Sequence, residues 1–557
     1  MKDVIMKHLV QNISKYGTVN EKAVMGKVMA EKPELRKQAK EVLKVLKECI
    51  AEFEMLDPET KKKLFDKYRE VKGEKKAEER KLPPLEGAEK GKVVMRFAPN
   101  PNGAATLGSA RGIIVNSEYV KIYNGKFVLR FDDTDPRTKR PLIEAYDWYL
   151  EDCEWLNAKP DIVLYASKRI PEYYRYIEKL LEMKKAYPCF CSQQDFRKFR
   201  AKGIECPHRD TDKEESLEIW QKMLDGEFEE GKVVIRIKTD MKHRDPAIRD
   251  WVAFRIIYES HPLVGEKYHV YPMLDFESAI EDHLAGITHI IRGKDLIDSE
   301  RRQKYIYKYF NWEYPRTKHW GRVSIHEFGK LSTSTIAMDI KAGKFKGWDD
   351  PKLPTVKALR RRGFEPEAIR NFFLSLGVTE NDVSVSMKNL NAENRRIVDV
   401  KANRYFFVWN PVKLKIEGVE RREVYIPLNP EKPEKGQRKL YGSDRIFISR
   451  SDFERFNEGE IVRLKEFCNI RVENKESGIA VFAGKELEGV KKGKNIIHWL
   501  SEEDAIPCVV LGQERDYSGY VERNSINDLG KVVQFERFAF CRLESFEKLL
   551  RAVYTHP

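Results

Sequence analysis

Long apolar runs and abundant cysteine are both missing from this sequence. No stretch approaches the roughly 20 consecutive apolar residues of a membrane-spanning helix, which argues against a helical membrane protein. Residues 1–17 lack an apolar core followed by a small-residue cleavage site, so we expect no signal peptide. Eight cysteines among 557 residues are too few for a disulfide scaffold. The sequence therefore predicts a cytoplasmic protein with no membrane partner.

Basic residues outnumber acidic ones. The chain has 103 Lys and Arg against 89 Asp and Glu, a formal net charge of +14. Such a surplus favours a polyanionic partner such as nucleic acid, because basic side chains that bind phosphates release counterions. The alternative is the charge-rich surface of a heat-adapted protein. The length predicts roughly three to five domains, and 41% hydrophobic residues suffice to build their cores.

One stretch, residues 92–135, has the pattern of a nucleotide-binding unit. A short apolar strand at 93–97 is followed by a Pro/Asn/Gly loop at 99–103. A helix from about Ser109 to Tyr123 and a second strand at 126–131 come next. Strand, glycine-containing loop, helix and strand form half of a doubly wound α/β fold, whose helix N-terminus favours phosphate. The alternative is a tight turn between strand and helix that binds nothing.

A second motif combines cysteine and histidine at short spacing. The stretch YPCFCSQQDFRKFRAKGIECPHRD contains one C-x-C pair and one C-x-H pair, and 15 positions separate Cys191 from Cys206. Thiolate and imidazole are the ligands that zinc prefers, and four protein ligands would make the site structural. The alternative is a set of reduced, partly buried cysteines beside a loop histidine. The candidate ligands are Cys189, Cys191, Cys206 and His208.

The two ends of the chain differ in composition. Residues 1–85 place apolar side chains at helical spacing and end in a charged linker at 74–84, so we expect a helical extension. Beyond about residue 404, short strand-like runs alternate with turns, which is typical of β-barrels. Basic and aromatic side chains interleave there, as expected for binding single-stranded RNA, or for an ordinary solvated face. These side chains are Arg404, Tyr405, Lys413, Lys415, Arg438, Tyr441 and Arg445.

Several ordered stretches resemble the glutamyl/glutaminyl subgroup of the class I aminoacyl-tRNA synthetases. They are RFAPNPNGAATLGSAR, NGKFVLRFDDTDPR, GITHIIRGKD, KLSTS and LRRRGFEPEAIRNFFLSLGV. The resemblance covers about residues 91–550. The β-rich C-terminal part is similar to that of the archaeal and eukaryotic branch, since the bacterial glutamyl branch ends in helices.

The resemblance implies a multidomain architecture. A Rossmann-type α/β catalytic domain is expected at 89–340, with an α/β insertion at about 185–265 that binds the acceptor end of tRNA. A helical N-terminal extension at 1–88 precedes it. A helical region that contacts the tRNA stem is expected at 341–403, and anticodon-binding β-barrels are expected at 404–557.

The resemblance also implies a two-step reaction. Glutamate attacks the α-phosphate of ATP, which gives glutamyl-adenylate and pyrophosphate, and the terminal ribose hydroxyl of tRNA(Glu) then takes the glutamyl group. Magnesium accompanies the ATP phosphates. Whether tRNA(Gln) is a second acceptor stays open. Positioning and charge neutralisation do most of the catalytic work in such chemistry.

Family roles carry over to matching positions of this sequence. Arg96 is expected to hold a substrate carboxylate, Asp132 the substrate ammonium, and Arg292 the γ-carboxylate that distinguishes glutamate from glutamine. The expected ATP-binding residues are Pro99, Asn100, Gly103, Thr106, Gly108, Ser109 and Lys330. The expected catalytic residues of the two signature loops are Thr106, Gly108, Ser109, Lys330, Ser332 and Ser334.

The sequence departs from the family pattern at three places. Thr106 and Ser109 replace the usual first-signature residues, typically two histidines or His and Thr. The second signature, in a predicted polar loop at 329–340, lacks its second lysine, and Leu274 replaces a frequent tyrosine. Since losing one transition-state donor costs on the order of 2.7–4 kcal/mol, we expect compensation. The residues that remain or could substitute are Gly108, Arg96, Asp132, Arg292, Lys330, Lys294 and Arg111.

Other functions remain compatible with these features. A glutaminyl enzyme would share the fold, although Arg292 argues against it. A tRNA-binding protein that descends from a synthetase but is catalytically silent would explain the altered signatures. A generic nucleotidyltransferase could share the α/β domain but would not need the C-terminal barrels.

Overall fold

The computed structural model describes the chain except residues 17–18, 58–59, 62–63, 66–67, 69–81, 330–331 and 487–495. The chain forms two compact units, Met1–Arg80 and Lys81–Pro557. No helix among the described residues has both the length and the apolar character that crossing a membrane requires.

The first unit is helical, as its spacing predicts. Its helices are α1 (Lys2–Tyr16), α2 (Glu21–Glu31) and α3 (Ala39–Met55). The Asn20 side chain accepts a hydrogen bond from the Ala23 N–H at 3.1 Å and so caps α2. Ile5, Leu9 and Leu46 are fully buried in its core. Of the predicted linker at 74–84, only residues 82–84 are among the described residues.

Strands and helices alternate through the first part of the second unit. They are β1 (Val94–Phe97), α4 (Leu107–Tyr123), β2 (Lys126–Phe131), α5 (Ile143–Trp155), β3 (Ile162–Tyr165), α6 (Ile170–Glu182), β4 (Ala186–Cys189), α7 (Gln193–Lys202), α8 (Lys213–Leu224), β5 (Val234–Ile237), β6 (Val252–Ile256), β7 (Val270–Pro272), α9 (Leu274–Leu284), β8 (His289–Gly293), α10 (Ile297–Phe310), β9 (Arg316–Trp320), β10 (Val323–Ile325), α11 (Thr333–Lys341), α12 (Val356–Arg362), α13 (Pro366–Leu376), β11 (Val383–Val385) and α14 (Met387–Lys401).

The expected Rossmann-type core is confirmed. Five parallel strands form one sheet in the order β3-β2-β1-β8-β9. Helix α4 begins two residues earlier than predicted, at Leu107, because the Thr106 side chain caps it. In parallel sheets of this kind ligands bind at the carboxyl ends of the strands, where the order reverses. Strands β1 and β8 are neighbours at such a point.

A separate antiparallel sheet follows the first three strands. It has the order β4-β5-β6-β7 and packs against α6 through an apolar cluster that includes Tyr173, Trp220 and Phe254. Its last strand, Val270–Pro272, lies beyond the predicted end of the insertion at about residue 265. That strand leads directly into α9, which returns the chain to the parallel sheet.

The C-terminal part is built from short strands. They are β12 (Arg404–Tyr405), β13 (Phe407–Trp409), β14 (Pro411–Glu417), β15 (Arg422–Pro427), β16 (Gln437–Gly442), β17 (Arg445–Ser449), β18 (Ile461–Leu464), β19 (Asn469–Asn474), β20 (Ile479–Phe482), β21 (Ile496–Ile497), β22 (Leu500–Ser501), β23 (Ala505–Leu511), β24 (Tyr517–Glu522), β25 (Val532–Phe535), β26 (Ala539–Phe546) and β27 (Leu550–His556), with helix α15 (Arg450–Arg455) after β17.

Two seven-stranded sheets dominate this part and both curl. One has β12 and β13 at its opposite edges, and the other has β21 and β22. Only Phe406 separates β12 from β13 along the chain, and an extended residue spans no more than about 3.6 Å. The first sheet must therefore bend until its edges nearly meet. No strand pairing among the described residues closes it, so the predicted barrels are curled, incompletely closed sheets.

The second signature stretch is more ordered than predicted. A polar loop is expected at 329–340, whereas Thr333–Lys341 forms α11. The Ser332 hydroxyl accepts a hydrogen bond from the Thr335 N–H at 3.4 Å, and a serine at this position favours the start of a helix. Lys330 lies outside the described residues.

Candidate active site

A cavity of about 420 Å³ opens at the carboxyl ends of β1, β2 and β8, and α9 and α10 close its sides. It brings together Arg96, Asp132 and Arg292, which are separated by up to 196 positions in the chain. Its lining is otherwise Ala98, Asn100, Thr134, Asp135, Lys139, Arg255, Pro272, Met273, Leu274, Asp275, Glu277, Ser278, Leu296, Ser299 and Gln303. Leu274, at the position where relatives often have tyrosine, is among these residues.

Two carboxylates hold the arginines of the cavity floor in place. Asp282, on α9, accepts hydrogen bonds from Arg96 Nε at 3.0 Å and Nη2 at 3.3 Å. Arg130, fully buried on β2, donates to Asp282 Oδ1 at 2.7 Å and to Asp132 Oδ1 at 2.6 Å. The Ser278 hydroxyl lies 2.9 Å from Arg130 Nη2. Charge-assisted hydrogen bonds of this kind stabilise the two side chains and also fix their orientation.

Arg292 is the least satisfied of the three arginines. Its Nη1 donates to Gln303 Oε1 at 3.2 Å, and its Nη2 lies 3.9 Å from Asp282 Oδ2. Its Nε has no hydrogen-bond partner among the residues that the structure describes. Burial, with the charge of Arg96, lowers the pKa of Arg292. A buried guanidinium with an unused donor is suited to bind an incoming anion.

The acidic side chains around the cavity do not cancel the arginines. Burial raises the pKa of Asp282, but the charges of Arg96 and Arg130 outweigh it and bring the pKa to about 2. Burial and the charge of Asp132 raise the pKa of Glu277 well above its usual range, so Glu277 is uncharged. The three guanidinium groups of Arg96, Arg130 and Arg292 thus face the carboxylates of Asp132 and Asp282.

The rim of the cavity adds no compensating negative charge. Arg255 Nη2 lies 3.1 Å from Asp135 Oδ2, and Arg302 Nη1 lies 2.7 Å from Asp275 Oδ2. Each rim acid therefore already has a basic partner. The cavity keeps a surplus positive charge, which suits a ligand that carries one more carboxylate than it has ammonium groups.

The loop after β1 is tied to this cavity. Asn100 Nδ2 donates to the Asp132 carbonyl at 2.8 Å, and the Asp132 N–H donates to the Pro99 carbonyl at 2.9 Å. Gly103 packs against Trp348 so closely that a Cβ atom would lie 2.2 Å from the indole ring. Any larger residue at this position would displace the loop.

The first signature is fixed by backbone bonds to the segment before α12. The Leu107 N–H donates to the Pro354 carbonyl at 3.0 Å, and the Val356 N–H donates to the Ala105 carbonyl at 2.8 Å. The Thr106 hydroxyl accepts a bond from the Ser109 N–H at 3.5 Å. Gly108 is exposed at the helix N-terminus, and this end of a helix favours phosphate.

One of the two expected substitute cations, Arg111, is already used elsewhere, so the expectation is wrong for that residue. Arg111 is 3% exposed, donates to the Gly321 carbonyl at 2.9 Å and lies 4.2 Å from the Trp320 ring. Lys294 forms an ion pair with Asp382 at 2.9 Å. In the second signature Ser332 caps α11, while Ser334 is exposed in its first turn.

The predicted metal ligands converge on the antiparallel sheet of the insertion. The ligand atoms of Cys189, Cys191, Cys206 and His208 all lie within 4.8 Å of one another. The sulfurs of Cys189 and Cys206 are 3.9 Å apart, and Cys191 Sγ is 3.4 Å from His208 Nδ1. Zinc with bonds near 2.3 Å places tetrahedral sulfur ligands about 3.7 Å apart, so these residues fit a zinc ion.

The predicted RNA-facing residues of the C-terminal sheets fall into three groups, which are buried, exposed and half-buried. Arg438 and Tyr405 are buried, at 4% and 2% exposure, so their assignment to an RNA-binding face is wrong. Lys413, Lys415 and Arg445 are exposed on the neighbouring strands β14 and β17. Two others are half-buried, namely Tyr441 and Arg404, which lies between Asp399 and Glu431.

Sequence reasoning missed several residues that line the cavity or hold its lining side chains in place. They are Arg130, Glu277, Ser278, Asp282 and Gln303. A signal for some of them was present, because α9 carries Glu277, Ser278, Glu281 and Asp282 at spacings of one and four among apolar residues. Four polar side chains on one stretch of a helix with buried neighbours indicate a polar site.

Comparison with known proteins agrees with this geometry. Residues 92–399 match the family described as tRNA synthetases class I (E and Q), catalytic domain, and residues 402–483 match its anti-codon binding domain. A glutamate–tRNA ligase of Archaeoglobus fulgidus is 68% identical over 559 residues, which cover 100% of both chains. Those of Methanosarcina barkeri and Pyrococcus furiosus are 54% and 48% identical, covering 99% and 98% of this chain and 98% of each relative.

Proposed function

The chain belongs to the class I tRNA synthetases for glutamate and glutamine, and from this premise we infer that it is a glutamate–tRNA ligase. It activates glutamate with ATP, releases pyrophosphate, and transfers the glutamyl group to the 3′ end of tRNA(Glu). Magnesium comes with the ATP phosphates. A cytoplasmic location, expected from the sequence, is part of this proposal.

The observation that supports glutamate as the amino acid is the surplus positive charge of the cavity. Glutamate brings two carboxylates and one ammonium. We assign the γ-carboxylate to Arg292, the ammonium to Asp132 and the second carboxylate to the neighbourhood of Arg96. Neutral glutamine would leave the buried Arg292 charge without a partner, which is costly.

The first signature and its loop form the proposed ATP side of the site. Gly103 lets the loop pack against Trp348, Gly108 is exposed at the N-terminus of α4, and this helix end favours the charge of the phosphates. The hydroxyls of Thr106 and Ser109 replace the usual side chains as neutral donors. Lys330, expected to contact the phosphates, lies outside the described residues. Pro99 and Asn100 connect this side to Asp132 and so to the amino acid.

The tRNA contacts are assigned by region. The insertion at about 185–265 is proposed to hold the acceptor end, the helices at 341–403 to contact the stem, and the curled sheets at 404–557 to read the anticodon. The Cys/His cluster of the insertion is proposed to bind one structural zinc ion. Metal analysis of the purified protein should find about one zinc per chain, and its complete absence would contradict the zinc assignment.

Aminoacylation with purified components tests the function. We expect charging of tRNA(Glu) with glutamate, with release of pyrophosphate and AMP, and little charging with glutamine. Adding tRNA(Gln) to the same assay decides whether it is a second acceptor. Tight tRNA binding with pyrophosphate exchange at background level would instead identify a catalytically silent tRNA-binding protein, which the altered signatures keep as the second candidate.

A further inference from the structure

Glu277 is an acid in the cavity for which no role has been assigned above. It lies on α9, is 0% exposed, and lines the cavity beside Asp132. Its Oε2 accepts a hydrogen bond from the Thr134 hydroxyl at 2.7 Å. Its Oε1 is also buried and has no hydrogen-bond donor among the described residues. A buried carboxyl oxygen that receives no hydrogen bond is free to carry a proton and to donate it in a hydrogen bond.

Among the described residues, Asp132 has a cationic partner and Glu277 has none. Asp132 forms an ion pair with Arg130, whose Nε lies 2.6 Å from its Oδ1. No Lys, Arg or His in the described part of the chain forms an ion pair with Glu277. Two neighbouring buried carboxyl groups with one cationic partner share a single negative charge most easily. The proton therefore belongs to Glu277, the carboxyl group without a cationic partner.

We propose that Glu277 is a positioning residue for glutamate recognition, whose uncharged carboxyl group donates a hydrogen bond to the Asp132 carboxylate and holds it towards the substrate ammonium. This inference rests on the proposed function. Asp132 would then be oriented by Arg130, by the Ser278 hydroxyl, which donates to its Oδ2 at 3.4 Å, and by Glu277. A carboxylate that is held in this way loses less freedom when the ammonium binds.

The pKa of Glu277 agrees with this arrangement. Burial raises it first, the charge of Asp132 and a hydrogen bond to that carboxylate raise it further, and only Arg130 and the Thr134 hydroxyl oppose them. The other titratable side chains near Glu277 are Tyr173, which faces it from α6, and Glu281 and Asp282 on α9.

The uncharged state also matters for selectivity. With Glu277 protonated, the three arginines of the cavity face two negative charges. An ionised Glu277 would bring the count to three against three and remove the surplus that attracts glutamate. The same proton therefore orients Asp132 and preserves the charge that distinguishes glutamate from glutamine.

Two substitutions separate the hydrogen bond from the charge. Glu277→Gln keeps a neutral donor and acceptor of nearly the same shape, whereas Glu277→Met keeps the volume but removes both. Glu281→Gln is the matched control, since Glu281 is equally buried on α9 but pairs with Arg169 at 2.6 Å and does not line the cavity. Each variant is assayed with tRNA(Glu) for the KM of glutamate, the KM of ATP and kcat.

We expect Glu277→Gln to keep the KM of glutamate within about three-fold and Glu277→Met to raise it about 10- to 100-fold, as losing a hydrogen bond to a charged group would. The KM of ATP should stay unchanged in both, and Glu281→Gln should leave both KM values unchanged. Equal losses in the Gln and Met variants, or no loss in the Met variant, would overturn the proposal.

An infrared measurement reads the proton directly and does not depend on turnover. The difference spectrum between the wild type and Glu277→Gln at neutral pH should contain the carbonyl band of a protonated carboxylic acid. A carboxylate band in its place would overturn the inference while leaving the proposed function intact. A wild-type chain that fails to activate glutamate would overturn the proposed function as well.

Discussion

Two buried clusters of arginine and carboxylate, one in the catalytic cavity and one in the C-terminal sheets, differ in how completely their charges are paired. In the C-terminal cluster Arg438 contacts Glu522 at 2.8 Å and Glu536 at 3.3 Å, and Lys465 pairs with Glu536. Arg438 Nη1 also donates to the Pro427 carbonyl at 2.6 Å. Two cations therefore meet two acids.

The catalytic cluster is not balanced in this way. Arg292 keeps a buried Nε without a partner in the described structure, and three guanidinium groups meet only two negative charges. We conclude that a buried arginine whose partners are complete stabilises the fold, whereas one whose partners are incomplete is available to a ligand. Local composition does not distinguish the two cases, since Arg292 and Arg438 both lie on strands in basic surroundings. Only the family resemblance assigned Arg292 to the substrate.

The largest expected effect comes from removing the unpaired cation. Arg292→Leu should lower kcat/KM for glutamate roughly 150- to 5,000-fold, which corresponds to a loss of about 3–5 kcal/mol of transition-state stabilisation. The reason is that the γ-carboxylate would be buried without a partner. The thermal unfolding temperature should not fall, since the charge is costly to bury in the free protein. Steady-state aminoacylation and a melting curve measure both.

Arg292→Lys serves as the control, because it keeps the charge but loses the planar donor pair. We expect it to lie between the wild type and the Leu variant. A strongly destabilised Arg292→Leu protein would show that Arg292 is structural, and the contrast between the two clusters would fail.

The opposite result is expected in the C-terminal cluster. Arg438→Met should lower stability by about 3 kcal/mol, because Glu522 would stay buried without its cation. Pyrophosphate exchange at a temperature where the protein is folded should be unchanged. Urea or thermal unfolding followed by circular dichroism measures the loss.

A double variant sharpens this test. Arg438→Met with Glu522→Met removes the charge pair together and should recover much of the lost stability, since paired removal is often nearly neutral. An Arg438→Met protein that unfolds like the wild type would contradict the structural role.

Acid should affect the two regions in different pH ranges. Burial, with the charge of Arg537, lowers the pKa of His498 to about 4, so protonation favours the unfolded chain and stability falls as the pH drops from about 6.5 to 4. Asp282 has a folded pKa of about 2, below its unfolded value, so its contribution is full above about pH 4 and is lost between 4 and 2. The contribution of His498 should therefore be lost at higher pH than that of Asp282.

Substituting His498 isolates its contribution to the pH dependence of stability. His498→Gln should reduce the loss of stability between pH 6.5 and 4 by about 2 kcal/mol, measured by urea unfolding at several pH values. The Gln variant retains a side-chain donor that could replace the ring N–H bound to the Phe407 carbonyl at 2.9 Å. An unchanged pH dependence would exclude His498 as its source.

The smallest effect concerns the exposed basic residues of the C-terminal sheets. Arg445 faces Lys415 across β14 and β17, and both are exposed. Substituting either by Ala should raise the KM for tRNA a few-fold. The salt dependence of tRNA binding should fall by about the contribution of one phosphate contact. Pyrophosphate exchange measured at saturating tRNA is the internal control, and a loss of ATP affinity would contradict the assignment.

The local parts of the site could be predicted from spacing, and Arg292 could be predicted from the family resemblance, whereas contacts between distant side chains could not be predicted. The loop and helix after β1 follow from spacing and turn residues within about 45 positions, and the assignment of Asp132 follows from the family resemblance. Asp282 could not be identified, because its role depends on meeting Arg96 and Arg130 from 186 and 152 positions away. For the same reason the sequence did not reveal that Arg111 is occupied by the Gly321 carbonyl.

The ratio of kcat/KM for glutamate to that for glutamine, measured with the same tRNA(Glu), tests the central claim most directly. If the surplus positive charge of the cavity selects the amino acid, the ratio should be at least about 100 and should collapse in Arg292→Leu. Equal efficiency with the two amino acids in the wild type would contradict the claim.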